Sequence, residues 1–212
     1  MRVIAGRARG QRIAVPPGRG TRPSADRMRE GLFSALLASE GSLSGCRFLD
    51  LYAGSGAVGI EAWSRGAEHV LAVEHDQRAV RVIKSNADTV GAEGAVVVRL
   101  CAVDRLASTG PAGGPYDVVF ADPPYDHADE HLGGVLTALH AGGWVRHDAL
   151  VVVERSSRGA GFGWPPWVEP EKSRIYGEGT LWYGRVRPVP APAAATVDPP
   201  ETAQPAPDPM ER

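Results

Sequence analysis

Five short apolar runs, at residues 48–51, 70–73, 95–100, 118–121 and 150–153, set the tightest limit on what this chain can fold into. Runs of that length without polar alternation read as strands buried on both faces. Amphipathic segments separate most of them: Ala79, Val80, Ile83, Ala87 and Val90 form one helical stripe, and Leu132, Val135, Leu136 and Leu139 another. Strands and helices in alternation predict an α/β fold, a mostly parallel sheet covered on both sides. Near the end, Arg174-Ile175-Tyr176 and residues 180–186 flank Gly177-Glu178-Gly179, which predicts a hairpin and hence an antiparallel addition.

Ahead of this core, Val3-Ile4-Ala5 and Arg12-Ile13-Ala14-Val15 surround a glycine-bounded turn, the pattern of a small β-hairpin. Pro16-Pro17-Gly18-Arg19-Gly20 breaks regular structure. Ser24 then stands where it can cap a helix, whose Met28, Leu32, Phe33, Leu36 and Leu37 make a stripe able to dock on the main domain. The organisation expected is a basic N-terminal hairpin and helix over residues 1–40, a main domain over 41–187 and a Pro/Ala-rich disordered tail over 188–212. The tail follows from eight prolines with alanines, acids and almost no large apolar residue.

Charge is segregated. Residues 1–30 hold eight arginines against Asp26 and Glu30 in a chain whose net charge is −2, which suggests a polyanionic partner met at one place. At 212 residues, 43% apolar and 23% charged, the chain can bury the core of one soluble domain. Cys46 and Cys101 lack metal or redox spacing and read as buried free thiols. No stretch approaches the roughly 18 apolar residues a membrane span needs, so a cytoplasmic location is expected.

The first apolar run ends in Asp50-Leu51-Tyr52-Ala53-Gly54-Ser55-Gly56-Ala57-Val58-Gly59, where Gly54, Gly56 and Gly59 fit G-x-G-x-x-G ahead of a helix. Such a turn lets backbone approach a nucleotide-like ligand, and Glu74, 20 residues past Gly54, can accept from ribose hydroxyls. Asp50 would repel a pyrophosphate and attract the ammonium and sulfonium of S-adenosylmethionine, which favours that cofactor over a dinucleotide. Tyr52 and Ser55 lie in the same turn. Asp104 can accept from an adenine amine, with the backbone near Val103 facing the ring.

Asp122-Pro123-Pro124-Tyr125 follows the fourth run, at the strand edge where open α/β sheets bind ligands. Asp122 and the Pro123 carbonyl can each accept one N–H of a planar amine and turn its lone pair toward a methyl group, while Tyr125 stacks on the ring. Pro124 also lacks an N–H and stiffens the turn. His127 and His131, with Asp126 and Asp129 nearby, read as a polar helix face, and no metal is expected. Other readings stay open: an amino-group methyltransferase acting on adenine or cytosine in DNA or on a protein glutamine, a noncatalytic RNA-binding assembly factor, or a nicotinamide-dependent enzyme.

The chain resembles the RsmD-type bacterial methyltransferases, which methylate a guanine N2 in 16S ribosomal RNA. The resemblance covers residues 1 to about 187 and rests on Met1-Arg2-Val3-Ile4-Ala5-Gly6 with Arg9-Gly10, and on Thr21-Arg22-Pro23 with Asp26-Arg27 and Arg29-Glu30. Residues 48–61, Val73-Glu74, the Asp-Pro-Pro-Tyr stretch, Glu154 and Tyr176-Gly177 complete it. It implies a Rossmann-like class I S-adenosylmethionine-dependent methyltransferase domain at 41–187, a guanine acceptor in 16S rRNA of the small ribosomal subunit or an assembly intermediate, and a monomer. Arg2, Arg7, Arg9, Arg12, Arg22 and Arg29 are expected to bind RNA phosphates, and Lys172 and Arg174 to touch RNA near the final hairpin. Trp63, in place of a smaller aliphatic residue, the Gly-, Pro- and Trp-rich segment 159–170, and the tail depart from the family pattern.

Overall fold

The computed structural model describes residues 1–16, 23–111, 113–124, 126–159 and 161–187. Arg22, Tyr125, the break at 17–20, the expected tail and the side chain of Ser24 lie outside the described residues. The elements in order are α1 (Pro23–Glu40), β1 (Arg47–Leu51), α2 (Ala57–Ser64), β2 (His69–Glu74), α3 (Gln77–Val90) and β3 (Val96–Leu100), followed by α4 (Val103–Leu106), β4 (Tyr116–Ala121), α5 (Asp129–Ala141), β5 (Val145–Ser156), β6 (Val168–Tyr176) and β7 (Gly179–Val186). Helix α1 begins at Pro23, so Ser24 falls inside its first turn and is not the cap. Proline suits that first position because its missing N–H has no intrahelical partner there.

The strands form one sheet in the order β3-β2-β1-β4-β5-β7-β6. Pairing is parallel from β3 through β5, and β7 runs antiparallel to both β5 and β6. The five apolar runs are β1 to β5, and the C-terminal hairpin is β6–β7. Strand β5 runs beyond its apolar run of 150–153 at both ends: β7 pairs with it from Leu150 to Ser156, and β4 meets it at Val145. Pro170 falls at an irregularity in edge strand β6, where a missing N–H is tolerated.

Both predicted helical stripes are buried. Residues of α1, α2 and α3 share one apolar cluster with one sheet face, and residues of α4 and α5 share another with the opposite face. The register brings the C-terminal ends of β1, β2, β4 and β5 level: Leu51 pairs with Val73 and with Ala121, and Ala121 with Val153. Tyr52, Glu74, Asp122 and Glu154 are therefore the next residues along one edge. None of the helices among the described residues is long and apolar enough to cross a membrane.

The N-terminal hairpin is minimal, a single antiparallel bridge between Arg2 and Arg12. Its attachment to α2 does more than its own pairing. Glu61, fully buried, accepts the Ile4 N–H at 2.8 Å and the Ala5 N–H at 3.0 Å, and pairs with Arg65 at 2.7 Å. Ser64 accepts the Ala8 N–H through its hydroxyl and the Arg7 N–H through its carbonyl. At Gly6 a Cβ would fall 1.8 Å from the Ser64 carbonyl oxygen, so only glycine permits the approach. Trp63 is 7% exposed under the Arg7 guanidinium, 5.0 Å from its ring centroid, so the large side chain fills the joint between α2 and the hairpin.

Glu61→Ala should lower stability by on the order of 3 kcal/mol, since it strips the acceptor from two part-buried N–H groups, takes the carboxylate from Arg65 and leaves Arg29, 3.9 Å from Glu61, with Asp26 alone. Urea unfolding measures the loss, and hydrogen exchange at Ile4 and Ala5 should rise with it. An unchanged midpoint contradicts this role for Glu61.

Candidate active site

Leaving β1, the chain turns sharply. Tyr52 takes φ 60°, Gly54 φ 57° and Gly56 φ 74°, and α2 starts directly after Gly56. A tyrosine in the left-handed region costs on the order of 1–3 kcal/mol and persists where surrounding structure holds it. Two buried acids hold this turn. Asp50, 1% exposed, accepts the Gly59 N–H at 2.9 Å, and Glu74, 2% exposed, accepts the Gly54 N–H at 2.9 Å through Oε2. Glu74 Oε1 also takes the N–H groups of His75 and Asp76. A Cβ on Gly59 would meet Val70 at 2.8 Å and Asp50 at 3.1 Å, which explains the glycine.

Two cavities flank Tyr52. The larger, about 240 Å3, lies between the glycine turn, α1 and the ends of β4 and β5, and its walls include Asp50, Ser55, Met28, Asp122 and Glu154. The smaller, about 180 Å3, lies past the ends of β2 and β3 and is lined by Glu74, Val103, Asp104, Pro124 and His127. Cys101 also borders it, so one of the two thiols is half-buried against a cavity while Cys46 is in the core. The Tyr52 hydroxyl is buried with no hydrogen-bond partner among the described residues, and burial pushes it up to about 12.

At the acceptor end Asp122 is exposed and Pro123 buried, and the Pro124 carbonyl accepts the His127 N–H at 3.0 Å. Arg155, the residue after Glu154, reaches over this loop: its Nε pairs with Asp129 at 2.6 Å and its guanidinium donates to the His127 carbonyl. Sequence reasoning missed that clamp, because nothing in the spacing of Arg155 and His127 places them together. Burial raises the Asp50 carboxyl to about 7, the Gly59 N–H opposes it, and the charges of Asp122 and Glu74 add to it. Burial first, and Asp122 second, push Glu154 up to about 8.

The basic residues divide. Arg2, Arg7, Arg9 and Arg12 are exposed on the hairpin, whose Met1 and Val15 border the larger cavity, and Arg174 is exposed on β6. Lys172 is half-buried, with its ammonium 5.2 Å from the Tyr183 ring centroid. Arg29 departs from the sequence expectation of a phosphate contact: it is 4% exposed, donates to the Arg2 carbonyl at 2.6 Å and pairs with Asp26 at 3.2 Å. Its charge is spent inside the fold. Asp104 is 53% exposed and pairs with His131 at 3.0 Å, and among the described residues no cluster has a metal-ligand arrangement.

A mostly parallel seven-stranded sheet with an antiparallel β7 inserted between β5 and β6, and a glycine turn at the end of β1, define a class I methyltransferase fold. A family profile described as Conserved hypothetical protein 95 matches residues 1–185. The chain belongs to that family, which is the RsmD family of methyltransferases. It is 36% identical over 154 residues to Ribosomal RNA small subunit methyltransferase D of Escherichia coli strain K12, covering 73% of this chain and 74% of that protein. To the Putative rRNA methyltransferase YlbH of Bacillus subtilis it is 35% identical over 155 residues, 73% of this chain and 82% of the relative. Among solved structures it is similar to a putative methyltransferase, yhhF, from Escherichia coli, with TM-score 0.75 and 28% identity over 89% of this chain and 99% of that one.

Asp50 and Glu154 bind protons more readily folded than unfolded, so the folded state carries more protons from about pH 4 up to about pH 7 through Asp50 and up to about pH 8 through Glu154. Stability therefore falls as pH rises across that window. In Asp50→Asn the Asp50 share of this slope is removed, and urea midpoints taken at about pH 5 and about pH 8 should differ less than in wild type. An equal difference in both proteins refutes the burial effect at Asp50.

Proposed function

We propose that this protein transfers a methyl group from S-adenosylmethionine to the exocyclic N2 amine of a guanine in 16S rRNA of the small ribosomal subunit. The observation that carries the reading is the pair of cavities meeting at Tyr52, with Asp122 on the wall of one and Glu74 on the wall of the other. The residues present suit the cofactor. Acids crowd the turn where a sulfonium and an ammonium bring positive charge, and the buried Tyr52 hydroxyl lacks a partner among the described residues. Bound there, S-adenosylmethionine supplies an electrophilic methyl group.

The chain's own residues do the rest. Val103 and Asp104 border the smaller cavity, where an adenine fits against α4, and Glu74 keeps a lone pair on Oε2 for a ribose hydroxyl beside the Gly54 N–H. Asp50, Tyr52, Ser55 and the N–H groups at the start of α2 serve the amino-acid end, which a helix N-terminus suits. Asp122 and the Pro123 carbonyl hold the acceptor amine, and Tyr125 stacks on a base drawn out of its stack. Asp122 serves by positioning and electrostatics, since the amine becomes acidic once methylated. Arg2, Arg7, Arg9 and Arg12 meet phosphates from the hairpin, with Arg22, Arg174 and Lys172 as further contacts; Arg29 supports the hairpin from within.

Asp122→Ala should abolish transfer from labelled cofactor while S-adenosylhomocysteine affinity stays within a few-fold. Assembled small subunits, naked 16S RNA and duplex DNA offered side by side should show label in ribosomal RNA. Label in DNA alone rejects the guanine reading, and full activity of Asp122→Ala rejects the acceptor site.

A further inference from the structure

Four acids sit in or beside the site with less than a tenth of their surface exposed, and three have evident structural work. Asp50 holds Gly59, Glu74 holds Gly54, His75 and Asp76, and Glu61 holds the hairpin. Glu154 is different. It is 7% exposed, and no hydrogen bond from a described residue reaches its carboxyl. Its oxygens are open to the larger cavity rather than sealed in the packed core, and the fold draws no hydrogen bond from them.

Its position is suggestive of a ligand contact. Ala121 pairs with Val153, so Asp122 and Glu154 follow on neighbouring parallel strands about 4.8 Å apart, and both line the larger cavity. A Cβ on Gly179 would fall 3.0 Å from Glu154 Oε1 and 3.4 Å from Met28 Sδ, which puts that oxygen between β7 and α1. Phe120 and Leu181 give the cavity an apolar floor, and the charged or titratable groups on the same walls are Asp122, Asp50, Arg29 and Tyr52. Near neutral pH Glu154 keeps its proton through burial and the Asp122 charge. A neutral carboxyl offers one O–H donor as well as acceptors.

Beside the exocyclic amine of guanine, adenine or cytosine lies a ring nitrogen with an in-plane lone pair. We propose that Glu154 is a substrate-contacting residue whose carboxylic O–H donates to that ring nitrogen, N3 where the base is guanine, next to the amine held by Asp122. The proposal rests on the reading above that the acceptor is a nucleobase amine. An amine held only through its own two N–H groups leaves the ring free to tilt; a third contact fixes the plane and so the direction of the lone pair.

The test uses the full chain, labelled cofactor and small subunits that lack the modification. Glu154→Ala should lower kcat/KM about 10- to 100-fold, the ratio expected for one lost buried hydrogen bond, with S-adenosylhomocysteine affinity unchanged. Glu154→Gln keeps a donor and an acceptor and should stay within about fivefold of wild type. The wild-type rate should decline as pH rises through about 8, where the O–H is lost, and the Gln variant should show no such decline. An Ala variant within threefold of wild type, while Asp122→Ala is inactive, overturns the assignment, as does a Gln variant as impaired as Ala, which would require a carboxylate. Wild-type protein that labels no nucleic acid overturns the nucleobase reading itself, and Glu154 with it.

Discussion

Carboxylates that accept backbone N–H groups hold this molecule's working parts in place. A glycine turn at a strand end and a hairpin with one bridge both leave N–H groups pointing into the interior, where each needs an acceptor. Asp50 and Glu74 supply acceptors for the turn, and Glu61 supplies them for the hairpin. The N-terminal segment thereby becomes a wall of the larger cavity, although its described residues pair with no strand of the sheet. Charge-assisted bonds of this kind are short and strong, which suits segments too irregular to be held by secondary structure.

The same acids set the electrostatics of the site. Asp50, Glu74, Asp122 and Glu154 stand at the ends of four neighbouring strands; the charges of Asp122 and Glu74 make ionisation of Asp50 harder, and the charge of Asp122 does the same to Glu154. Such a site favours a cation and disfavours a phosphate. The hairpin's exposed arginines lie apart from these acids, at the cavity's border, which separates a place for polyanion from a place for positive charge. Arg29 belongs to neither, because burial and its bonds to Arg2 and Asp26 keep it in the fold.

Much of this was legible in the chain itself. The five apolar runs are the five parallel strands, and the stripes on α3 and α5 are buried residue for residue, because strand and helix periodicity report burial directly. The antiparallel hairpin was legible through its Gly-Glu-Gly turn. Other features were not. Glu61 looks like one polar residue in an apolar helix, and Glu154 like the end of a strand; their opposite uses depend on whether a backbone donor happens to face them. Arg29 reads like the other arginines of a basic segment, although it stands four residues before Phe33 on the face of α1 that docks; only the packing shows its guanidinium buried there.

By itself, the sequence determined the strand count of the parallel sheet, the helical stripes, the glycine turn and the placing of Asp122 at a strand end, since all of these follow from local period and turn chemistry. Only the tertiary structure decided that Glu74 and Asp50 hold the turn, that Glu61 anchors the hairpin, and that Glu154 stands one strand from Asp122 with no backbone donor among the described residues. Those roles depend on register between strands distant in the chain and on which N–H groups docking brings into reach, and neither is encoded in spacing along one segment.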